Sequence, residues 1–218
     1  RIHRRTVVEG LWLEGTRCRG IRVGGEARAY DHVISAVPLP VYREWAAQVA
    51  PDYARELEAV RFIGVVCMVL RIRRPITKRF WLNVHDPQIA FNGVIEYSNL
   101  DPDCAPPRES IVYIPYYLHR DLERYRSADR ALFEEYTGAL ARIDKRFTPD
   151  DVASYRVFRA PYAQPICHTG FAQHVPPHQT PWQGCWMVES TQLYPADRTI
   201  TGTLWLAQNV ARMIVERE

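Results

Sequence analysis

The densest run of chemistry-bearing residues is Trp186-Met-Val-Glu-Ser-Thr-Gln-Leu-Tyr-Pro-Ala-Asp-Arg-Thr-Ile-Thr-Gly202, where an apolar strand, a polar loop and a helix start follow directly on one another. The first N–H groups of a helix have no intrahelical acceptor and carry roughly half a positive charge, so such a junction suits a phosphate or the electron-rich edge of a cofactor. An ordinary capped helix explains the same residues without any ligand.

A second group is Cys167, His168, His174, His178 and Cys185, whose thiols and imidazoles could close on zinc. The spacing matches no standard finger, and Pro176-Pro177 keeps His174 and His178 off a common helix face. Cys185 sits in an apolar strand, where a free cysteine packs as a small hydrophobe. No metal is expected, and His168 and His174, titratable near neutrality, are candidates to face a substrate. Arg71, Arg73, Arg74, Lys78 and Arg79 crowd a turn around Pro75, which could grip a phosphate or carboxylate or simply stand in solvent. Tyr97 and Tyr116, chosen from a set that includes Trp81, Tyr113 and Tyr117, could wall a pocket. Glu96 breaks an apolar strand, which suits either a cavity or a solvent-facing position.

The elements that must position these groups follow from periodicity. Turn residues at Glu14-Gly15 and Gly24-Gly25 divide 6–36 into a three-piece meander, whose last piece runs from Ala27 to Ala36. Its end, His32-Val-Ile-Ser-Ala-Val-Pro38, reads as a strand buried on both faces and not at an edge. Helical spacing governs 40–60, with Pro51 opening a second helix. Strands are expected at 64–71, 80–84, 91–97, 110–117 and 152–159. A helix over 128–146 has Ser127 as its cap and Leu132, Phe133, Tyr136, Leu140 and Ile143 on one face. A proline- and histidine-rich connection, 161–181, precedes a buried strand at 184–188. Thr201 is expected to cap the last helix, with Leu204, Ala207, Val210, Ala211 and Ile214 as its apolar stripe.

Tyr194, Pro195, Asp197, Arg198 and Gly202 resemble the C-terminal flavin motif of FAD-dependent amine-oxidase-like and protoporphyrinogen-oxidase-like proteins. The resemblance implies that Thr199, Ile200 and Thr201 meet the flavin and ribityl-pyrophosphate region through backbone N–H groups. Thr6-Val-Val-Glu-Gly-Leu11 is similar to the strand whose valine main chain touches adenine, with Val8 at the aligned position. His32–Pro38 resembles the strand that returns to the nucleotide-binding sheet, and Phe91–Leu100 and Tyr162–Pro165 resemble substrate-domain segments. The family's glycine-rich strand-turn-helix for the pyrophosphate does not occur in these residues, and Glu189-Ser190-Thr191 stands where many relatives have a glycine-rich turn. A preceding FAD-binding segment is therefore expected as a partner, and FAD is not expected to be held tightly by this chain alone.

The implied fold is α+β: a partial, Rossmann-like FAD-binding lobe from 1–40 and 183–218, enclosing a substrate lobe over 41–182. The implied parent is an enzyme, a flavin-dependent oxidoreductase that oxidises or desaturates a small organic substrate by hydride transfer to FAD. The alternatives are a non-redox flavoenzyme of the UDP-galactopyranose mutase type, with the arginine turn on a diphosphate, and a non-catalytic ligand-binding module. Composition narrows the field further. The 218 residues are 47% hydrophobic and 24% charged with a net charge of +3, which is too slight for the basic face that nucleic acid requires. No apolar run reaches membrane-span length. Five scattered cysteines argue against a disulfide framework and make a reducing, cytoplasmic setting the expectation.

Overall fold

The computed structural model describes residues 1–216. The chain divides into two compact units, Arg1–Arg61 with Gln164 onward, and Phe62–Ala163. The expected boundaries at 40/41 and 182/183 thus shift to 61/62 and 163/164. The shift has a physical cause in the first helix. Its Tyr42 is fully buried, with its hydroxyl 3.9 Å from Cys185 Sγ, while Tyr53 meets Trp182 edge-on at 5.5 Å. The helical stretch and the end of the proline-rich connection therefore share one core with the C-terminal segment.

In the first unit, β1 (Gly10–Glu14), β2 (Arg17–Val23) and β3 (Glu26–Ala29) form an antiparallel meander. The register slips between Trp12 and Leu13, and opposite that bulge Gly20 has φ +156°, where an added Cβ would lie 1.9 Å from the Arg28 carbonyl oxygen. The stretch expected as one strand from Ala27 to Ala36 breaks after β3. Its continuation, β4 (Val33–Ser35), pairs in parallel with β10 (Cys185–Met187) in a separate sheet. Among the described residues that sheet has two strands, so β4 is an edge and Ile34 is 53% exposed, against expectation. α1 (Leu39–Ala47) and α2 (Pro51–Glu56) each carry proline in the first turn, where no donor is lost.

α4 (Ile200–Val215) closes the unit, with Leu206, Val210 and Ile214 buried at four-residue spacing and the last two packed on Trp186. The expected stripe is right for Val210 and Ile214 but not for Ala207 and Ala211, which are exposed, nor for Leu204, which is 60% exposed together with Trp205 at 59%.

The second unit is a five-stranded sheet in the order β6 (Trp81–Asn83), β7 (Gly93–Glu96), β8 (Ser110–Leu118), β5 (Phe62–Ile72) and β9 (Val152–Pro165). α3 (Asp129–Ile143) brings Leu132, Tyr136 and Leu140 against Val66, Met68 and Leu70 of β5 and Val112 and Ile114 of β8 in one core. Phe133 and Ile143 pack at its margin. The helix starts at Ala128 without a side-chain cap, so Ser127 does not have the capping role expected of it. The fold is α+β with several sheets and four α-helices among the described residues.

Candidate functional site

β10 leads into a short 3-10 turn, Ser190–Leu193, in which the buried Glu189 carboxylate accepts from the Thr191 N–H at 3.0 Å and Gln192 Oε1 accepts from the Glu189 N–H at 3.0 Å. Burial pushes the Glu189 carboxyl above the usual carboxylate range, with the Thr191 contacts opposing it. This reciprocal cap fixes the loop that presents Tyr194, whose bond to Pro195 is cis.

The Thr199 N–H bonds the Asp197 carbonyl at 3.0 Å, and Thr199 Oγ1 accepts from the Gly202 N–H at 3.0 Å. Thr199, not Thr201, is therefore the helix cap, because its backbone is extended while Ile200 and Thr201 are already helical. Among the described residues no acceptor meets the N–H groups of Ile200 and Thr201, and Ile200 is 84% exposed. Asp197 is exposed and folds onto the Arg198 N–H at 2.8 Å, while the Arg198 guanidinium bonds Gln164 Oε1.

The histidine-bearing loop belongs to this same unit, not to the one that holds the large sheet. His174 and His168 lie 5.3 Å apart between ring centroids, His168 meets the buried Phe171 at 5.8 Å, and Phe171 meets Tyr194 at 5.0 Å. A run of rings so joins the two candidate histidines to the motif. His178 instead faces the Met187 carbonyl at 3.2 Å and Cys185 is buried in β10, so the five Cys and His groups do not converge. Among the described residues no group of three or more His, Cys, Asp or Glu could hold a metal ion.

Val8 precedes β1 and is half-buried. With Ile21, Tyr30, Val37 and Trp45 it lines a mostly apolar depression of about 290 Å³ whose floor includes Ser35. Ser35 is 4% exposed, and its buried hydroxyl has no hydrogen-bond partner among the described residues. A mostly apolar depression with Tyr30 and His32 at its wall fits the face of a ligand ring.

In the second unit the substrate candidates separate. Glu96 is fully buried and accepts from Ser110 Oγ at 2.7 Å, the Thr77 N–H at 2.8 Å and the Ile76 N–H at 3.2 Å. It anchors the arginine-rich turn and faces no cavity, because three donors converge on it in the core. Tyr116 packs on the core side beneath Arg124, whose guanidinium carbon lies 5.4 Å from the ring centroid.

Tyr97 alone of the three stands at the outer face, edge-on to Phe80 at 6.2 Å and to Tyr113 at 6.1 Å. Tyr113 and Tyr117 share that face with Trp81, and strict alternation along β8 was the signal that puts them opposite Tyr116. Arg71 pairs with Glu109 at 3.0 Å, and Arg74 pairs with Asp144 at 3.0 Å and lies 3.2 Å from Asp151. Arg73 bonds the Asp150 carbonyl at 2.6 Å. Three of the turn's cations are thus engaged by the protein itself.

A sequence profile of the family described as flavin containing amine oxidoreductase matches residues 1–187. The chain belongs to this family. Its fold is likewise similar to that of several solved structures. A candidate protoporphyrinogen oxidase from Exiguobacterium sp. 255-15 aligns with a TM-score of 0.77 at 12% identity, over 98% of this chain and 47% of its own. An oxidoreductase from Methanosarcina mazei aligns with a TM-score of 0.71 at 16% identity, over 95% and 49%. A putrescine oxidase triple mutant aligns at 0.69 and 12%, over 98% and 49%. The chain therefore spans about half the length of these proteins. No curated protein matches the sequence. Among the described residues no helix is long and apolar enough to cross a membrane.

Proposed function

We propose that this chain forms part of an FAD-dependent oxidoreductase that oxidises or desaturates a small organic substrate by hydride transfer to the flavin. The observation that carries the reading is the open N-terminus of α4, where among the described residues the N–H groups of Ile200 and Thr201 have no acceptor, directly after Tyr194–Arg198, which resembles the family's flavin motif. Those two groups would hold the electron-rich part of the cofactor. Arg198 and Asp197 would set the approach of the loop, Tyr194 would stand beside it, and Thr199 would keep the helix start in place. Val8 would line the adenine end of the cofactor, with Ile21, Val37 and Trp45. Bound flavin supplies the hydride acceptor, and the residues here bind, orient and exclude water.

The free edge of β4, the exposed Ile34 and the exposed Leu204 and Trp205 support a further part of the reading. A two-stranded parallel sheet with apolar residues in water is marginal, since parallel sheets are stable when extended and covered. A preceding Rossmann-like segment adding a strand beside β4 would supply both. The engaged arginines at the 71–79 turn lend no support to a diphosphate-binding mutase.

The test is to purify the full-length protein and measure its visible flavin absorbance and its bleaching by candidate substrates without oxygen. Bound FAD that is lost in Ile200→Glu and weakened in Arg198→Ala is the expected result. A correctly folded full-length protein that neither carries nor takes up FAD would overturn the reading.

A further inference from the structure

Spread along the sequence, the five cysteines suggest no pairing, but the fold brings together two from its opposite ends. Arg17 of β2 forms a parallel bridge to Gln183. The Gln183 N–H bonds the Thr16 carbonyl at 2.8 Å, and the Cys18 N–H bonds the Gln183 carbonyl at 2.9 Å. Main-chain bonds therefore lay the segment that leads into β10 against the start of β2. Gly184, at φ +76°, then turns the chain past Cys18, whose carbonyl oxygen would lie 3.4 Å from an added Cβ. Cys185 follows at once, and its thiol is hydrogen-bonded to that of Cys18.

Both side chains lie in the core of one unit, 1% and 0% exposed. Beside them stand the Tyr42 hydroxyl, 3.9 Å from Cys185 Sγ, and Thr180, whose hydroxyl donates to the Cys185 carbonyl at 2.9 Å. The other three thiols face oxygen atoms. Cys67 meets the Met68 carbonyl at 4.0 Å, Cys104 the Ser98 hydroxyl at 3.3 Å and Cys167 the Pro165 carbonyl at 4.0 Å. A buried free cysteine is ordinarily a small hydrophobe. Two in thiol contact, on segments fixed to each other by their main chains, have in addition the proximity that a disulfide needs.

We propose that Cys18 and Cys185 are a site of reversible disulfide formation, closed by a low-molecular-weight disulfide, that ties the meander to β10. In a chain opened at this contact, the Cys18 thiolate attacks the small disulfide, forms a mixed disulfide and releases one small thiol. Reclosing brings the Cys185 sulfur onto the Cys18 sulfur, and the new S–S bond expels the second small thiol. The two protein protons leave with the two small thiols, so the protein pair is oxidised and the small disulfide reduced. Because the joined residues stand so far apart in the sequence, the bridge takes much conformational freedom from the unfolded chain and stabilises the folded one. The site is independent of the flavin reading.

The experiment incubates the full-length protein with oxidised glutathione in urea below its unfolding transition and then removes the urea. Free thiols are blocked with iodoacetamide under denaturing conditions, and the protein is digested without reduction. Mass spectrometry is expected to find two peptides joined through Cys18 and Cys185, two hydrogen masses lighter than the sum of their free-thiol forms. The bridged protein is expected to unfold at a urea midpoint higher by about 0.5 M or more than the reduced protein. Cys185→Ala is expected to abolish both the joined peptides and the shift.

Recovery of Cys18 and Cys185 as free thiols, or as separate glutathione adducts that never resolve, overturns the proposal. So does a bridge from either one to Cys67, Cys104 or Cys167, or a Cys18–Cys185 bridge that leaves the urea midpoint unchanged or lowers it. The joined peptides are read on the wild-type protein, so the result stands whether or not the alanine variant folds.

Discussion

Glu96 Oε2 accepts the Thr77 backbone N–H at 2.8 Å, tying the end of β7 to a turn nineteen residues earlier in the chain. With Ser110 Oγ and the Ile76 N–H on Oε1, the carboxylate gathers three donors that would otherwise be left in a dry core. Removing it orphans them, so Glu96→Ala is expected to cost about 3 kcal/mol in urea unfolding. Glu96→Gln should also lose stability, because its amide nitrogen meets donors in place of an acceptor. An unchanged midpoint in both variants would show that the turn is held by something else.

Gly20 allows the meander its bulge, since any Cβ there collides with the Arg28 carbonyl at 1.9 Å. Gly20→Ala should destabilise the protein by about 2–4 kcal/mol through a backbone shift between β2 and β3, whereas Gly15→Ala, at a turn with open space, should cost about 1 kcal/mol from its positive φ alone. Thermal midpoints of the two variants provide the comparison.

The loss of the Thr199 hydroxyl removes the acceptor for the Gly202 N–H. Thr199→Ala is expected to cost about 1 kcal/mol and Thr199→Ser a few tenths, because serine keeps the oxygen. Hydrogen exchange in the first turn of α4 should rise in the alanine variant; equal protection in both would remove Thr199 from the capping role.

Two carboxyls give stability opposite pH dependences. The Arg146 guanidinium and N–H, then Arg74, hold Asp144 well below the usual range. Its contribution is therefore fully present above the unfolded value of about 3.9 and is lost as pH falls through the folded one. Glu189 is raised by burial, so its contribution is fully present below about 4.3 and is lost as pH rises through its folded value. Asp144→Asn should flatten the acid limb of a stability–pH curve, and Glu189→Gln should lessen the decline on the other side. Parallel curves for wild type and variant would rule out the group concerned.

Thiol chemistry separates four of the five cysteines. Cys167 is exposed, whereas burial pushes Cys67 up to about 11, and Cys18 and Cys185 are 1% and 0% exposed. The hydrogen bond from Cys185 lowers Cys18 to about 7 and raises Cys185, yet neither is reachable in the folded state. A chromogenic disulfide reagent at pH 8 should modify Cys167 first, and Cys18 and Cys185 only on unfolding; rapid modification of Cys18 in native protein would contradict this packing.

Much of this architecture is legible in residue order. Alternation and helical spacing give the elements, and the run from Trp186 to Gly202 announces a strand, a loop and a helix start. Local rules suffice there because propensity, turn residues and caps act over a few positions. Alternation also places Tyr113 and Tyr117 opposite Tyr116.

What tertiary structure decided were the long-range matters. Whether Glu96 meets solvent, a cavity or three donors depends on a turn and a strand that pairing brings to it. Whether β4 is central or at an edge depends on its neighbours, and here β10 alone lies beside it among the described residues. Where the histidine loop belongs was settled by Phe171 packing on Tyr194. Residue types determine which contacts are chemically possible, but burial and pairing between distant segments select among them, since the cost of an unmet polar group is felt only where the fold excludes water.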